Sequence, residues 1–394
     1  MYTFAYIETY APNSGAFYIT GGIMTHEDYM RRALELAQRG IGFTSPNPMV
    51  GAVIVRDGNI IGEGWHKRYG ELHAERTAFA YCDENGIDCS GADMYVTLEP
   101  CCHHGKQPPC TEAVIAHGIK RVFIGSADPN PLVAGKGVRQ LRDADIEVTE
   151  NVLRDECDAI NEIFFHYITT KRPLVTMKYA MTMDGKIACH TGESKWITSG
   201  EARQFVQLER LRHSAIMVGI GTVLADDPLL TCRLENGRDP IRIICDSQLR
   251  IPLDSNIVRT AEKVPTIVAA VTGSEDKAEL LRERGINVIQ TSPADGNVDL
   301  RELMRILGED MKIDSILLEG GAELNWSALN SGIVTKAQAH IAPKIFGGIN
   351  AKSPVGGTGV PSPSDAFVLE DTSVRNIGSD FIIEGRVKYV HGHN

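Results

Sequence analysis

The sequence has no apolar run approaching the ~20 residues that a membrane-crossing helix needs, so no membrane-spanning segment is predicted. It has no excess of positive charge. A formal net charge of −11 and only 6% aromatics argue against a nucleic-acid channel, which needs phosphate-neutralising cations and stacking rings. A local basic pocket for one small phosphorylated substrate is still allowed. An even, dense cysteine framework is also missing. Nine thiols are scattered (Cys82, Cys89, Cys101, Cys102, Cys110, Cys157, Cys189, Cys232 and Cys245) and only three crowd together, which predicts a reducing compartment, the cytoplasm. Met1 to Gly22 contains no Lys or Arg and makes a poor signal peptide. Residues 1–23 read either as a disordered extension or as translation from a start codon upstream of the true one. There is no internal repeat. Gly219-Ile220-Gly221-Thr222 has no third glycine and no acidic residue on a following strand, so a Rossmann fingerprint is not supported.

A chain of 394 residues allows two or three domains with real cores. Thr25 can cap a helix with Glu27 and Asp28 in its first turn, ended by Gly40. Strands are predicted at Val50 to Val55, Asp93 to Leu98 and Arg121 to Gly125. Helices are predicted from His73 toward Tyr81, from Cys110 to His117, and near Val138 to Ala144. This alternation predicts an α/β layer with a mainly parallel sheet. Asn151 to Thr170 reads as one connecting helix stopped by Lys171-Arg172-Pro173, which sets a boundary between residues 24–170 and 171–394. Beyond it, strands near Leu174–Tyr179, Ala215–Val218, Ile241–Cys245, Ile286–Ile289 and Ser315–Leu318 predict a second α/β unit.

The densest chemistry is His73-Ala74-Glu75, then Pro100-Cys101, then Cys110. One imidazole and two thiolates are the three protein ligands of a catalytic zinc that keeps one position open for water. Ligands at helix starts benefit from free N–H groups and the helix dipole, which favour the thiolate. Glu75 stands two residues from His73, within reach of that water without being a ligand, and suits proton transfer to a leaving ammonia. His-x-Glu with Pro-Cys…Cys is the signature of zinc deaminases. The eight residues between the cysteines, Cys102 to Pro109, replace the usual two. A structural zinc would want a fourth ligand from Cys102, His103 or His104, but it has no use for Glu75.

At this point the chain resembles the bifunctional riboflavin-biosynthesis family, a pyrimidine deaminase fused to a reductase. The matching stretches are Ser45 to Gly51, Gly70 to Glu75, Thr97 to Cys101, His103 to Cys110, and Asp128 to Pro131 followed by Val133-Ala134-Gly135. In the second half they are Asp184 to Ala188 and Ser194 to Thr198. The resemblance implies a cytidine-deaminase-like three-layer α/β domain followed by a dihydrofolate-reductase-like α/β domain. It implies deamination of a diaminopyrimidinone ribosyl phosphate with zinc, then reduction of its ribosyl group to ribityl by NADPH.

Carried over by position, Asn47, His66, His103, Lys106 and Asn130 would hold the deaminase substrate, while Cys102 is not a ligand. Ala180, Trp196, Thr222, Asp226, Ser247 and the run Gly321, Ala322, Glu323, Leu324, Asn325, Trp326 and Ser327 would contact NADP. Ser194, Arg210, Leu230, Arg233 and Glu319 would contact the reductase substrate, with Arg210 and Arg233 as a clamp for its phosphate. Lys178 and Glu319 are candidate proton donors or orienters, and Arg250 a candidate partner of the NADP 2′-phosphate. The glycine pair after Leu318-Glu319 leaves bare N–H groups suited to a pyrophosphate, although an ordinary strand-to-helix turn looks the same. The rival readings are a nucleic-acid cytidine or adenosine deaminase with an accessory domain, and a zinc-stabilised nucleotide sensor without turnover. The partner expected is a small molecule, with no nucleic acid and no membrane, and the chain is expected to form a homo-oligomer.

Overall fold

The computed structural model describes residues 24–105 and 107–389. The expectations for residues 1–23 and for Lys106 therefore lie outside the described residues. Contacts divide the chain between Thr170 and Lys171 into two compact units.

The first unit is built on five strands: β1 Gly51–Arg56, β2 Asn59–Trp65, β3 Asp93–Leu98, β4 Arg121–Ser126 and β5 Glu147–Thr149, in the order β2-β1-β3-β4-β5. The expectation of a mainly parallel sheet is corrected here. β1 runs antiparallel to both β2 and β3, while β3, β4 and β5 are parallel. The cause is a tight hairpin. Asp57 (φ 50°) and Gly58 (φ 78°) both take left-handed backbone between Arg56 and Asn59, the two-residue turn that suits strand twist.

Both faces of this sheet are covered. Ala52 and Ile54 join Ala78, Phe79, Val114 and Leu141 on one side. Val53 and Val55 join Met30, Ala33, Leu36 and Ile160 on the other. Alternate residues of an apolar strand thus feed two cores, which gives three layers. The helix His26–Gln38 starts on a capping box between Thr25 and Asp28, as its sequence suggests.

The connecting helix is two helices, Arg154–Ile160 and Glu162–Thr170, broken at Asn161. Asn161 is buried and its amide clasps the backbone of Met49 in both directions, accepting from N–H and donating to C=O at 2.9 Å each. That clasp anchors the Pro46-Asn47-Pro48 turn. Asn161→Ala should leave a buried N–H and C=O unsatisfied and destabilise this unit by roughly 2 kcal/mol or more, measured by denaturant unfolding followed at the unit's own Trp65.

The second unit holds a nine-stranded sheet. Its strands are β6 Leu174–Thr182, β7 Ala215–Gly219, β8 Ile241–Cys245, β9 Thr266–Ala270, β10 Ile286–Gln290, β13 Ser315–Leu318, β14 Lys336–Ala342, β15 Val368–Ile377 and β16 Asp380–Lys388. A separate two-strand ribbon pairs β11 Pro293–Ala294 with β12 Asn297–Val298. The order is β10-β9-β8-β7-β13-β6-β14-β16-β15, parallel as far as β14 and then antiparallel through the final hairpin. Val175, Met217, Ile243 and Ile316 fill one core, and Ile216, Val218, Ile244 and Val268 fill another. In each unit the candidate site lies beyond the carboxyl ends of parallel strands, where α/β sheets place ligands.

Candidate active sites

In the first unit β3 ends and hands the chain to Glu99, Pro100 and Cys101. His73 is the residue that caps the helix Ala74–Glu84, and Cys110 opens the helix Cys110–Ala116. His73 Nδ1 lies 3.5 Å from Cys101 Sγ and 3.4 Å from Cys110 Sγ. Among the described residues these three form the one group arranged to hold a metal, with ligand atoms within 4.8 Å of one another.

The Cys110 thiol, then His73 and the Cys110 backbone N–H, hold the Cys101 thiol down to about 4 against the opposing effect of burial. Cys110 is pushed well up by the proton it shares with Cys101 and by burial. Two crowded sulfurs sharing a proton that a divalent cation can displace, beside one imidazole, are a donor set that fits zinc. Glu75 is 3% exposed, and burial followed by the Cys101 charge raises its carboxyl.

Asn47 and His66 meet beside this cluster. His66 Nδ1 lies 3.0 Å from the Leu72 carbonyl, which can only accept, so that nitrogen carries the proton. Its Nε2 then accepts from Asn47 Nδ2 at 3.2 Å, which leaves Asn47 Oδ1 for a ligand. The His66 and His73 rings stand edge to face, 5.4 Å apart. His103 has a buried Nδ1 with no partner. Asn130 is partly occupied, since its Oδ1 accepts from Leu132 N–H and closes a local turn. Cys102 stands apart from the cluster, its Sγ 3.9 Å from the Leu132 carbonyl. Cys102→Ser should therefore leave zinc content and deamination rate nearly unchanged. A large loss of zinc on metal analysis would show that the ligands are misassigned.

Two residues passed over by sequence reasoning hold this site together. Glu99 is buried and accepts from four backbone N–H groups, those of Asp128, Gly135, Gly137 and Val138, at 3.0 to 3.5 Å. It pins the Asp128–Gly135 loop against Cys101. Arg76 donates to the Pro108 and Pro109 carbonyls at 3.0 and 2.7 Å, fixing the long loop just before Cys110.

In the second unit Glu319 follows β13, and Arg210 grips it with two bonds of 2.9 and 3.1 Å. Lys178 of β6 lies 3.6 Å from the same carboxylate, with side chains 10% and 14% exposed. Burial alone would raise the Glu319 carboxyl, but the charges of Arg210 and Lys178 overcome it and hold the group below the usual carboxylate range. A carboxylate depressed in the folded state stabilises the fold above its unfolded pKa, and that contribution fades as pH falls. The stability advantage of wild type over Glu319→Gln should thus shrink below about pH 4, read from denaturation of both proteins across pH.

Arg210, expected to clamp the substrate phosphate, spends these contacts on the protein. Its third nitrogen donates to the Thr231 carbonyl at 2.9 Å, so the whole guanidinium faces the protein. Arg233 is exposed and its side chain stays available. Leu230 is 5% exposed, its side chain inside an apolar core. Ser194 is half-buried, and Trp196 is exposed with Arg203 stacked 4.6 Å over its ring.

Gly321 caps the nine-residue helix Ala322–Asn330 with no side-chain cap, so its first N–H groups remain open to a phosphate. A Cβ at Gly320 would fall 3.0 Å from Leu324 Cδ2 and 3.1 Å from Leu318 Cδ1, a tight fit that would make those side chains shift. Thr222 lies beside it, its Oγ1 3.8 Å from where a Gly321 Cβ would sit. Asn325 has a buried Oδ1 with no partner.

These features fit a dinucleotide, and the run expected to contact it, Gly321 through Ser327, enters the helix Ala322–Asn330. A helix turns its side chains about 100° per residue. Asn325 donates to the Pro354 carbonyl, and Trp326 packs on Phe367. Ala180 lies on β6 opposite His340, while Asp226 and Arg250 are exposed. Ser247 is tied to the ribbon through Val298 N–H at 3.2 Å.

Comparison with known proteins says which class these units define. Residues 23–126 match the family of the cytidine and deoxycytidylate deaminase zinc-binding region, and residues 173–383 match the RibD C-terminal domain. The chain is thus a zinc-dependent deaminase joined to an NADPH-dependent reductase. The chain is 55% identical over 361 residues to the riboflavin biosynthesis protein RibD of Actinobacillus pleuropneumoniae, covering 92% of this chain and 95% of that one. It is 40% identical over 370 residues to RibD of Escherichia coli, covering 91% and 98%.

The crystal structure of a diaminohydroxyphosphoribosylaminopyrimidine deaminase/5-amino-6-(5-phosphoribosylamino)uracil reductase from Thermotoga maritima superposes with a TM-score of 0.78 at 39% identity, covering 92% and 99%. Acinetobacter baumannii RibD gives 0.80 at 35%, with the same coverage. The chain belongs to the RibD family, the bifunctional deaminase and reductase of riboflavin biosynthesis. Among the described residues no helix is long and apolar enough to cross a membrane.

Proposed function

We propose that residues 24–170 deaminate diaminohydroxyphosphoribosylaminopyrimidine and that residues 171–394 reduce the ribosyl group of the product to ribityl. The carrying observation is the buried Glu75 beside His73, Cys101 and Cys110, an arrangement useful only where a proton must move at a metal site. Bound by those three residues, zinc supplies the Lewis acidity that makes a water nucleophilic at neutral pH. Glu75 takes the proton of the attacking water and delivers it to the ring amino nitrogen, which leaves as ammonia. Asn47, oriented by neutral His66, accepts from the ring's amino or N–H edge. His103, Lys106 and Asn130 complete the grip on the ribosyl phosphate.

In the second unit, reduced NADP bound against Gly320, Gly321, Thr222 and Ser247 supplies the hydride to the ribosyl carbon. Lys178 gives its proton to the ring oxygen as the bond from that carbon to oxygen breaks, so a C–H and an O–H replace one C–O. Glu319 holds Lys178, and Arg210 holds Glu319. Arg233 and Ser194 take the phosphate end. We further infer a cytoplasmic homo-oligomer without nucleic-acid partners. The nine free cysteines and the acidic charge favour that reading.

The test is incubation of the purified protein with the diaminopyrimidine, with and without NADPH, followed by mass spectrometry. Exchange of an amino group for oxygen should occur without NADPH, and addition of two hydrogens only with it. Reduction preceding deamination would overturn the order.

A further inference from the structure

The face of the second sheet that carries Lys178 also carries a polar chain with no part in the steps above. Gln338 of β14 pairs with Lys178 of β6, His340 pairs with Ala180, and Glu384 of β16 pairs with Gln338. Because side chains alternate between faces, Lys178, Gln338, His340 and Glu384 share one face.

Their bonding order can be deduced. Arg375 donates to both Glu384 oxygens, at 3.1 and 3.3 Å, so that carboxylate only accepts. The Gln338 amide nitrogen therefore donates to it at 2.9 Å, which turns the Gln338 oxygen toward His340. A carbonyl oxygen accepts only, so the proton on His340 sits on Nε2, which lies 2.8 Å from that oxygen. Nδ1 is left as a bare lone pair in a side chain with 0% exposure, and it has no partner. Burial, then the Lys178 charge, lowers the His340 pKa well below its ordinary value and keeps the ring neutral. Phe205 packs against the ring at 5.9 Å.

We propose that His340 is a positioning residue of the reductase, its Nδ1 accepting a hydrogen bond from the Lys178 ammonium when substrate is bound. This rests on the reading of Lys178 as the proton donor. An ammonium has three donors. One faces Glu319, one is taken by His340, and the third is thereby aimed into the pocket. A neutral acceptor also adds no negative charge. Arg210, Lys178 and Glu319 keep a net positive charge toward a phosphorylated substrate and an anionic cofactor, which a second carboxylate would cancel.

Two variants and one spectrum test this. His340→Leu removes the acceptor, and His340→Asn restores an oxygen near the place of Nδ1. His340→Leu should lower kcat for reduction about tenfold with KM nearly unchanged, the loss expected of one hydrogen bond to a charged group. His340→Asn should recover most of that loss, and both variants should deaminate at the wild-type rate. In 15N-histidine NMR of the wild-type protein, His340 should show the Nε2–H tautomer.

Full reductase activity in His340→Leu, equal losses in both variants, or an Nδ1–H tautomer would each overturn the proposal. Lys178→Met separates it from the reading beneath. If Lys178→Met reduces normally, the proton-donor role falls. If Lys178→Met is inactive while His340→Leu is not, only the role of His340 falls.

Discussion

Glu75→Gln should lower deamination by at least ~100-fold, the usual scale for a lost general acid/base, while zinc stays bound and the pre-deaminated compound is still reduced. Glutamine keeps the size of the side chain and does not touch the three ligands, but it cannot carry a proton from water to the leaving nitrogen. Glu75 is buried within the first unit, and every residue of its cluster lies between Asn47 and Asn130. Zinc analysis and the two half-reactions, measured on one preparation, check this. Loss of zinc would mean that Glu75 acts as a ligand or supports one.

Glu319→Gln should have the converse effect, with reduction falling by roughly 100-fold and deamination unchanged. The carboxylate fixes Arg210 through two bonds and stands 3.6 Å from Lys178, so removing its charge frees the ammonium from its place. The amide keeps the volume, which avoids leaving two buried cations beside a cavity. Steady-state reduction of the pre-deaminated compound is the measurement, with circular dichroism as the control for folding. Wild-type reduction in this variant would remove Glu319 from the site.

The zinc ligands were legible because each stands where an element begins or ends, next to residues that announce it: His73 before Ala74-Glu75 and Cys110 after Pro108-Pro109 at helix starts, and Cys101 after Pro100 just beyond β3. The supports of the site were not, because their partners are backbone groups far along the chain. Glu99 bonds to N–H groups 29 to 39 residues away, and Asn161 bonds to Met49 across 112. No local pattern marks such pairs.

β2 gave no strand signal for a related reason. Gly62 and Gly64 look like breakers, yet a Cβ at Gly64 would fall 2.3 Å from the Ala74 carbonyl, and one at Gly62 2.6 Å from Cys82 Sγ. The glycines are what lets the helix that carries Glu75 lie on the strand. The hairpin β15–β16 is polar over much of its length, so alternation is weak there. The pairing of Arg210 with Glu319 was not legible either, because nothing in the sequence brings together two residues 109 positions apart.

The proposed function requires that one chain hold two complete and separate sites. Mixing purified Glu75→Gln with purified Glu319→Gln, supplying the diaminopyrimidine and NADPH, and following the reduced product tests that claim most directly. Each variant alone should make almost none. The mixture should make it steadily, because one protein deaminates and the other reduces what it releases. If either variant, still folded by circular dichroism, loses both half-reactions, so that the mixture yields no reduced product, the two chemistries are not separable and the two-site account is wrong.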